Sequence, residues 1–236
     1  MSLIDSVRVL GAMARITAPT LFDVARGAVE RAAIDERARW FGRRVVELLD
    51  IRLTASGAEN VPPRAVVYMS NHQSHLDIPV LYATLPSPTI RMLAKAELFR
   101  IPLWGRGLRA AEFVEVDRGN HARAVRSIED AARLVRDGVS IYLAPEGTRS
   151  RDGRIGKLKK GGFHLALGTG APIVPVAIRG TIRILPRGGR VMRSGQPVSV
   201  QIGRPIEVAG RDLGSLMSQV FEFLVNNVEN GAGIPP

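Results

Sequence analysis

Phe113-Val114-Glu115-Val116, His121 through Arg136, and Ser140-Ile141-Tyr142-Leu143-Ala144 are the segments whose reading decides the fold. The first and last are short runs rich in β-branched and aromatic residues, the composition of strands. Between them Val125, Ile128, Ala132 and Val135 recur at helical spacing, and Asp137-Gly138 supplies a stop. Strand, helix and strand in this order predict an α/β sheet with helices on its faces.

The same texture extends in both directions. Ala65–Met69, Ile90–Ala94, Ile173–Ile178 and Val198–Ile202 are further candidate strands, several of them continuous apolar runs as expected of strands covered on both faces. Further helices are expected after Asp77-Ile78-Pro79, from Gly161 to Leu167, and from about Asp212 to Val228. The first 50 residues read as helical, with Leu3, Val7 and Leu10, then Phe41, Val45 and Leu48, on apolar faces. Pro19 is expected to divide or kink them. Between Leu10 and Val29 the only charges are Arg15, Asp23 and Arg26. Two readings stand for this segment: a helix lying flat in a bilayer interface, or a helical hairpin packed on the main domain. The expected division is residues 1–58 as N-terminal amphipathic helices, 59–230 as the α/β domain, and 231–236 as a frayed tail.

The 236 residues contain no cysteine, which removes disulfides, a thiol nucleophile and cysteine-ligated zinc, and fits a protein of the cytosolic side. No apolar stretch of spanning length and no secretory signal pattern is visible. The net charge is +11, and it is concentrated. Residues 1–50 hold eight arginines against seven acids, whereas residues 149–193 hold eleven basic side chains against Asp152 alone. A positive field of that density attracts phosphates, on nucleic acid, anionic lipid or a small substrate. A nucleic-acid-binding module is therefore one reading. It is disfavoured because Phe163 is the stretch's only aromatic for base stacking.

The chemistry points to Asn71-His72-Gln73-Ser74-His75-Leu76-Asp77, which follows the strand Val66–Ser70. Ligand chemistry in α/β proteins collects at strand ends. Histidine is the side chain suited to proton exchange near neutral pH, so His72 can take a proton from a hydroxyl. Asp77, five residues on, is within reach of a turn into a helix start, where it would hold one ring nitrogen protonated and leave the other as base. An alternative makes His72, His75 and Asp77 metal ligands. With no serine in a nucleophile-elbow pattern, the simplest chemistry is direct activation of an acceptor hydroxyl against an activated acyl carbonyl.

Four segments together resemble the glycerolipid acyltransferase family, in particular the 1-acyl-glycerol-3-phosphate acyltransferases: Asn71–Asp77, Phe113–Arg118, Pro145-Glu146-Gly147-Thr148-Arg149-Ser150, and Ile173-Val174-Pro175-Val176-Ala177-Ile178. They share the family's order and approximate spacing over residues 60–205. The resemblance implies a mixed central sheet flanked by helices, of the glycerol-3-phosphate acyltransferase type, with a membrane-associating N-terminal segment. It implies His72 as base, Asp77 as its orienting partner, and Lys95, Arg118, Glu146, Gly147, Thr148 and Arg149 at the acceptor's phosphate. The implied reaction moves a fatty acyl group from acyl-CoA or acyl carrier protein to the sn-2 hydroxyl of a lysophosphatidic acid, giving phosphatidic acid. No cofactor beyond the acyl donor is implied. The implied partners are the lysophospholipid, the donor and an anionic membrane surface rather than nucleic acid, and the implied place is peripheral or monotopic attachment to the cytoplasmic face of the cell membrane. The same chemistry on another lysolipid or hydroxylated lipid is the alternative.

Overall fold

The computed structural model describes residues 3–117, 119 and 121–229. Seven strands form one sheet: β1 (Arg52–Ser56), β2 (Val67–Ser70), β3 (Ile90–Lys95), β4 (Val114–Val116), β5 (Ser140–Leu143), β6 (Ile173–Arg179) and β7 (Pro197–Ile202). Their order is β1-β7-β6-β2-β5-β3-β4. Strands β2 to β6 run parallel, whereas β7 pairs antiparallel to β6 and carries β1 alongside it in parallel. The sheet is therefore mixed, and the ends of β2, β3, β4, β5 and β6 share one edge.

Strand alternation places the helices on both faces. In β2, Tyr68 belongs to one apolar cluster and Val67 and Met69 to the other; in β5, Tyr142 opposes Ile141 and Leu143 in the same way. The first cluster includes side chains of α1 (Leu3–Arg26), α2 (Arg31–Leu48) and α3 (Asp77–Thr84). On the other face lie α6 (His121–Arg136), α7 (Gly161–Thr169) and α9 (Leu213–Val228). Three short helices complete the chain: α4 (Ala96–Phe99), α5 (Trp104–Ala110) and α8 (Thr181–Ile184). Helix α6 has the expected bounds, and Asp212 caps α9 by accepting the Ser215 amide hydrogen at 3.0 Å.

Two expectations need correction. The N-terminal helices do not divide at Pro19, which lies inside α1; the chain turns after Arg26, at Gly27, whose φ of 65° is left-handed. Residues 52–56, read as part of the helical segment, form strand β1, whose exposed edge position masks the apolar pattern of a strand. Helices α4, α5 and α8 are too short to produce a period. The expected frayed tail, 231–236, lies outside the described residues.

Helix α2 is held against the sheet domain in two ways. A Cβ on Gly42 would stand 2.6 Å from the Pro79 carbonyl oxygen, so α2 approaches α3 more closely than any side chain would permit. Arg91 of β3, 1% exposed, bonds to Asp35 of α2 and to Glu112, which also holds Arg31 of α2 at 2.6 Å. Close packing and ion pairs thus fix its place. Helix α1 differs on its outer side, where Leu3, Ile4, Val7, Leu10 and Phe22 are 59–70% exposed. No helix among the described residues is long and apolar enough to cross a membrane.

Candidate active site

The chain leaves β2 at Ser70 and forms a tight polar loop before α3 begins at Asp77. Asn71, 1% exposed, anchors the loop: its amide donates to the Ile178 carbonyl and accepts from the Ile178 amide hydrogen, both at 2.8 Å. That pairing extends β6 hydrogen bonding to the end of β2, so the loop's position is set by the sheet itself. The next residue, His72, keeps 21% of its side chain exposed, while Asp77 is fully buried.

His72 Nδ1 lies 2.7 Å from Asp77 Oδ2. The same oxygen accepts the amide hydrogens of Gln73 at 2.8 Å and Ser74 at 3.0 Å, both in the loop that precedes α3. The other oxygen, Oδ1, accepts the Thr181 hydroxyl at 2.6 Å. Both oxygens are satisfied, which is what permits a carboxylate at zero exposure. The arrangement fixes Nδ1 toward Asp77 and leaves Nε2 as the ring nitrogen for a substrate proton.

The turn after β5 supports this loop from beneath. Glu146, 6% exposed, accepts the His72 amide hydrogen on Oε1 at 2.9 Å and that of Gly156 on Oε2 at 2.8 Å. Burial pushes its carboxyl above the ordinary range, against the pull of these two amides. Ser150 donates its amide hydrogen to the His72 carbonyl at 2.7 Å, so the histidine backbone is gripped on both sides. Gly147 has φ 71°, and the Lys159 side chain lies over it, as close as 3.0 Å to where a Cβ would stand. Arg149 is half-buried; partial burial and then the charge of Arg187 lower its guanidinium pKa. His75 keeps an exposed edge, yet loss of water around its ring, followed by the Arg149 charge, pushes its imidazole below the ordinary range.

His72, Asp77, Glu146, Gly147, Thr148 and Arg149 therefore meet at the ends of β2 and β5. The contacts of Glu146 are with backbone amides, so it braces His72 rather than lying bare toward a phosphate. Lys95 ends β3 on the same edge, two strands from β2, and is exposed and paired with Glu97 at 2.9 Å. Arg118 lies outside the described residues. No group of three or more His, Cys, Asp or Glu side chains suited to a metal ion occurs among the described residues. Asn71 and Thr181 were not singled out from sequence: each acts across more than a hundred residues, and only the neighbouring places of β2 and β6 reveal it.

Residues 52–179, more than half of the chain, match the family described as Acyltransferase. The chain belongs to the acyltransferase family. It is 37% identical over 159 residues to the chloroplastic 1-acyl-sn-glycerol-3-phosphate acyltransferase of Brassica napus, covering 66% of this chain and 46% of that protein. It is 35% identical over 135 residues to the 1-acyl-sn-glycerol-3-phosphate acyltransferase of Borreliella burgdorferi, covering 57% and 54%. The chain thus spans about half the length of the curated relatives it matches. Its fold is similar to the crystal structure of the 1-acyl-sn-glycerophosphate acyltransferase PlsC from Thermotoga maritima, with a TM-score of 0.83, 29% identity, and coverage of 97% of this chain and 95% of that one. That match includes the N-terminal helices, so in this family member α1 and α2 belong to a shared architecture.

Proposed function

We propose that this acyltransferase transfers a fatty acyl group from a thioester donor to the sn-2 hydroxyl of a 1-acyl-glycerol-3-phosphate, forming phosphatidic acid. The observation that carries the reading is the His72–Asp77 pair, with the base nitrogen free, set beside the Arg149 turn. His72 Nε2 takes the proton of the acceptor hydroxyl as its oxygen attacks the thioester carbonyl. The imidazolium, held by buried Asp77, then gives that proton to the departing sulfur as the carbon–sulfur bond breaks. The products are an ester and a free thiol. A thioester is already activated, so positioning and proton transfer suffice without an acyl-enzyme. Glu146 and Ser150 fix the His72 backbone, and Arg149 faces the acceptor's phosphate.

The acyl donor is acyl-CoA or acyl carrier protein, whose acidic surfaces suit the basic loops of residues 149–160 and 187–193. The acceptor is a lipid, and we place the enzyme peripherally on the cytoplasmic face of the membrane. The support is the outer face of α1, where Leu3, Ile4, Val7 and Leu10 are exposed beside Arg8 and Arg15, the pattern of a helix lying in a bilayer interface. The deciding experiment incubates the purified chain, in anionic vesicles, with a panel of lysolipids and acyl donors and weighs the products. Phosphatidic acid should form with the wild type and fall by about 10³-fold or more in His72→Ala, the scale of a lost base with its proton transfer. Full turnover in His72→Ala or Asp77→Ala would remove the assigned roles, and a product built on an acceptor lacking phosphate would redirect the reading.

A further inference from the structure

Among the arginines of the chain, Arg31, Arg37, Arg64, Arg91 and Arg109 each face a carboxylate within 3.3 Å. Arg149 and Arg187 have no carboxylate in ion-pair contact among the described residues, yet they stand together. Arg187 Nη1 donates to the Arg149 carbonyl at 3.2 Å, and the residue after Arg149, Ser150, donates its amide hydrogen to the His72 carbonyl at 2.7 Å. Two residues before Arg187, the Leu185 carbonyl accepts the buried Ser74 hydroxyl at 2.8 Å, tying the loop after α8 to the loop that carries His72. A chain of direct bonds therefore joins the base, Arg149 and Arg187. Half-burial first, and then the charge of Arg187, lower the Arg149 guanidinium pKa, with Asp77 pulling the other way, so repulsion between the two cations adds to the cost of burying the first. An anion of double charge relieves it.

We propose that Arg187 completes a two-guanidinium clamp with Arg149 and is the residue that selects a phosphomonoester acceptor over phosphodiester or uncharged ones. The inference rests on the acyl-transfer reading above and deepens it. A monoester presents three terminal oxygens and, near neutral pH, close to two negative charges, enough for two planar forks at once. A diester has one charge and two free oxygens, so it leaves one fork partly unfilled and the repulsion only partly relieved. The position of the clamp at the His72 loop fixes the distance between the phosphate and the attacking hydroxyl, giving the enzyme a measure of where on the glycerol backbone it acts.

The test compares wild type, Arg187→Ala and Arg187→Lys with short-chain lysophosphatidic acid, the matching lysophosphatidylglycerol and the matching monoacylglycerol, each with one acyl-CoA and with one acyl carrier protein donor. Arg187 is exposed on a loop, and equal melting temperatures establish that the variants fold. Loss of charge-assisted bonds worth about 1.5–3 kcal/mol predicts a KM for lysophosphatidic acid raised about 10–100-fold in Arg187→Ala, with kcat falling much less. Preference over the diester and uncharged acceptors should shrink by the same factor, and Arg187→Lys, a charge without a fork, should recover part of it. Unaltered preference, or an equal rise of KM for all three acceptors, overturns the clamp. A rise in the KM of acyl-CoA alone overturns it too, since the donor's own phosphomonoester would then be the ligand. Binding of the short-chain lysophosphatidic acid is measured alongside by calorimetry. Arg187-dependent binding without turnover supports the clamp and defeats the acyl-transfer reading; turnover without Arg187 dependence does the reverse.

Discussion

Replacing Thr181 by valine isolates the role of a single hydroxyl. Thr181 and Asp77 are both fully buried, and among the described residues the 2.6 Å bond from Oγ1 is the only one that Asp77 Oδ1 accepts from a side chain. Valine matches the shape and removes the donor, so the buried carboxylate keeps its charge with one oxygen unsatisfied. A hydrogen bond to a charged group contributes about 1.5–3 kcal/mol. If that loss is expressed in the transition state, kcat falls about 10–100-fold. The assay is steady-state acylation, with KM for the acceptor expected to hold and Thr181→Ser expected to recover most of the rate. A purely structural threonine would lower the melting temperature and leave kcat of the folded enzyme at the wild-type value. A Thr181→Val enzyme with wild-type kcat would refute the reasoning that Asp77 needs both oxygens fixed.

Two further outcomes are expected from contacts away from the base. The bonded Arg31 guanidinium, with the Arg91 charge behind it, outweighs burial and holds the Glu112 carboxyl below its ordinary 4.5. Its stabilising contribution is therefore present above 4.5 and lost as pH falls through the depressed value, so the stability gap between wild type and Glu112→Gln, read by denaturant titration, should close below pH 4.5; a gap constant with pH would count against the pairing. In the second, Val7→Asp with Leu10→Asp should weaken sedimentation with anionic vesicles by at least about tenfold, since even one exposed aliphatic side chain buried in a bilayer contributes about 1.5–3 kcal/mol; undiminished sedimentation would move the docking face elsewhere.

The sequence exposed whatever depends on local pattern. Six strands, the helix His121–Arg136 and the His72–Asp77 spacing are periodic or contiguous signals, and the structure places them as read, giving the mixed sheet with helices on both faces. Strand β1 escaped because an exposed edge strand has no apolar alternation to detect. The N-terminal turn was misplaced because Pro19 is the louder local signal, whereas Gly27 decides it through a positive φ that letters alone do not announce. Asn71, Ser74 and Thr181 were invisible for another reason: their partners Ile178, Leu185 and Asp77 become neighbours only when β6 is laid beside β2. Residue types that bind phosphate could be named from sequence. Which of them converge is a property of strand order.

Glu146 shows why the distinction has chemical weight. As a letter in a Glu-Gly-Thr-Arg turn it read as one more group at the phosphate, an awkward place for a carboxylate. In the structure it is turned inward, and its two oxygens receive the amide hydrogens of His72 and Gly156. Burial disfavours its charged form, so the ionised carboxylate costs the fold stability at neutral pH. What it provides in return is direction, since a neutral acceptor in its place would hold the His72 amide less firmly. The two buried acids thus divide the work on one histidine, Asp77 fixing the ring and Glu146 fixing the backbone. With their oxygens occupied by protein donors, neither acid is left bare to repel the anionic acceptor proposed above.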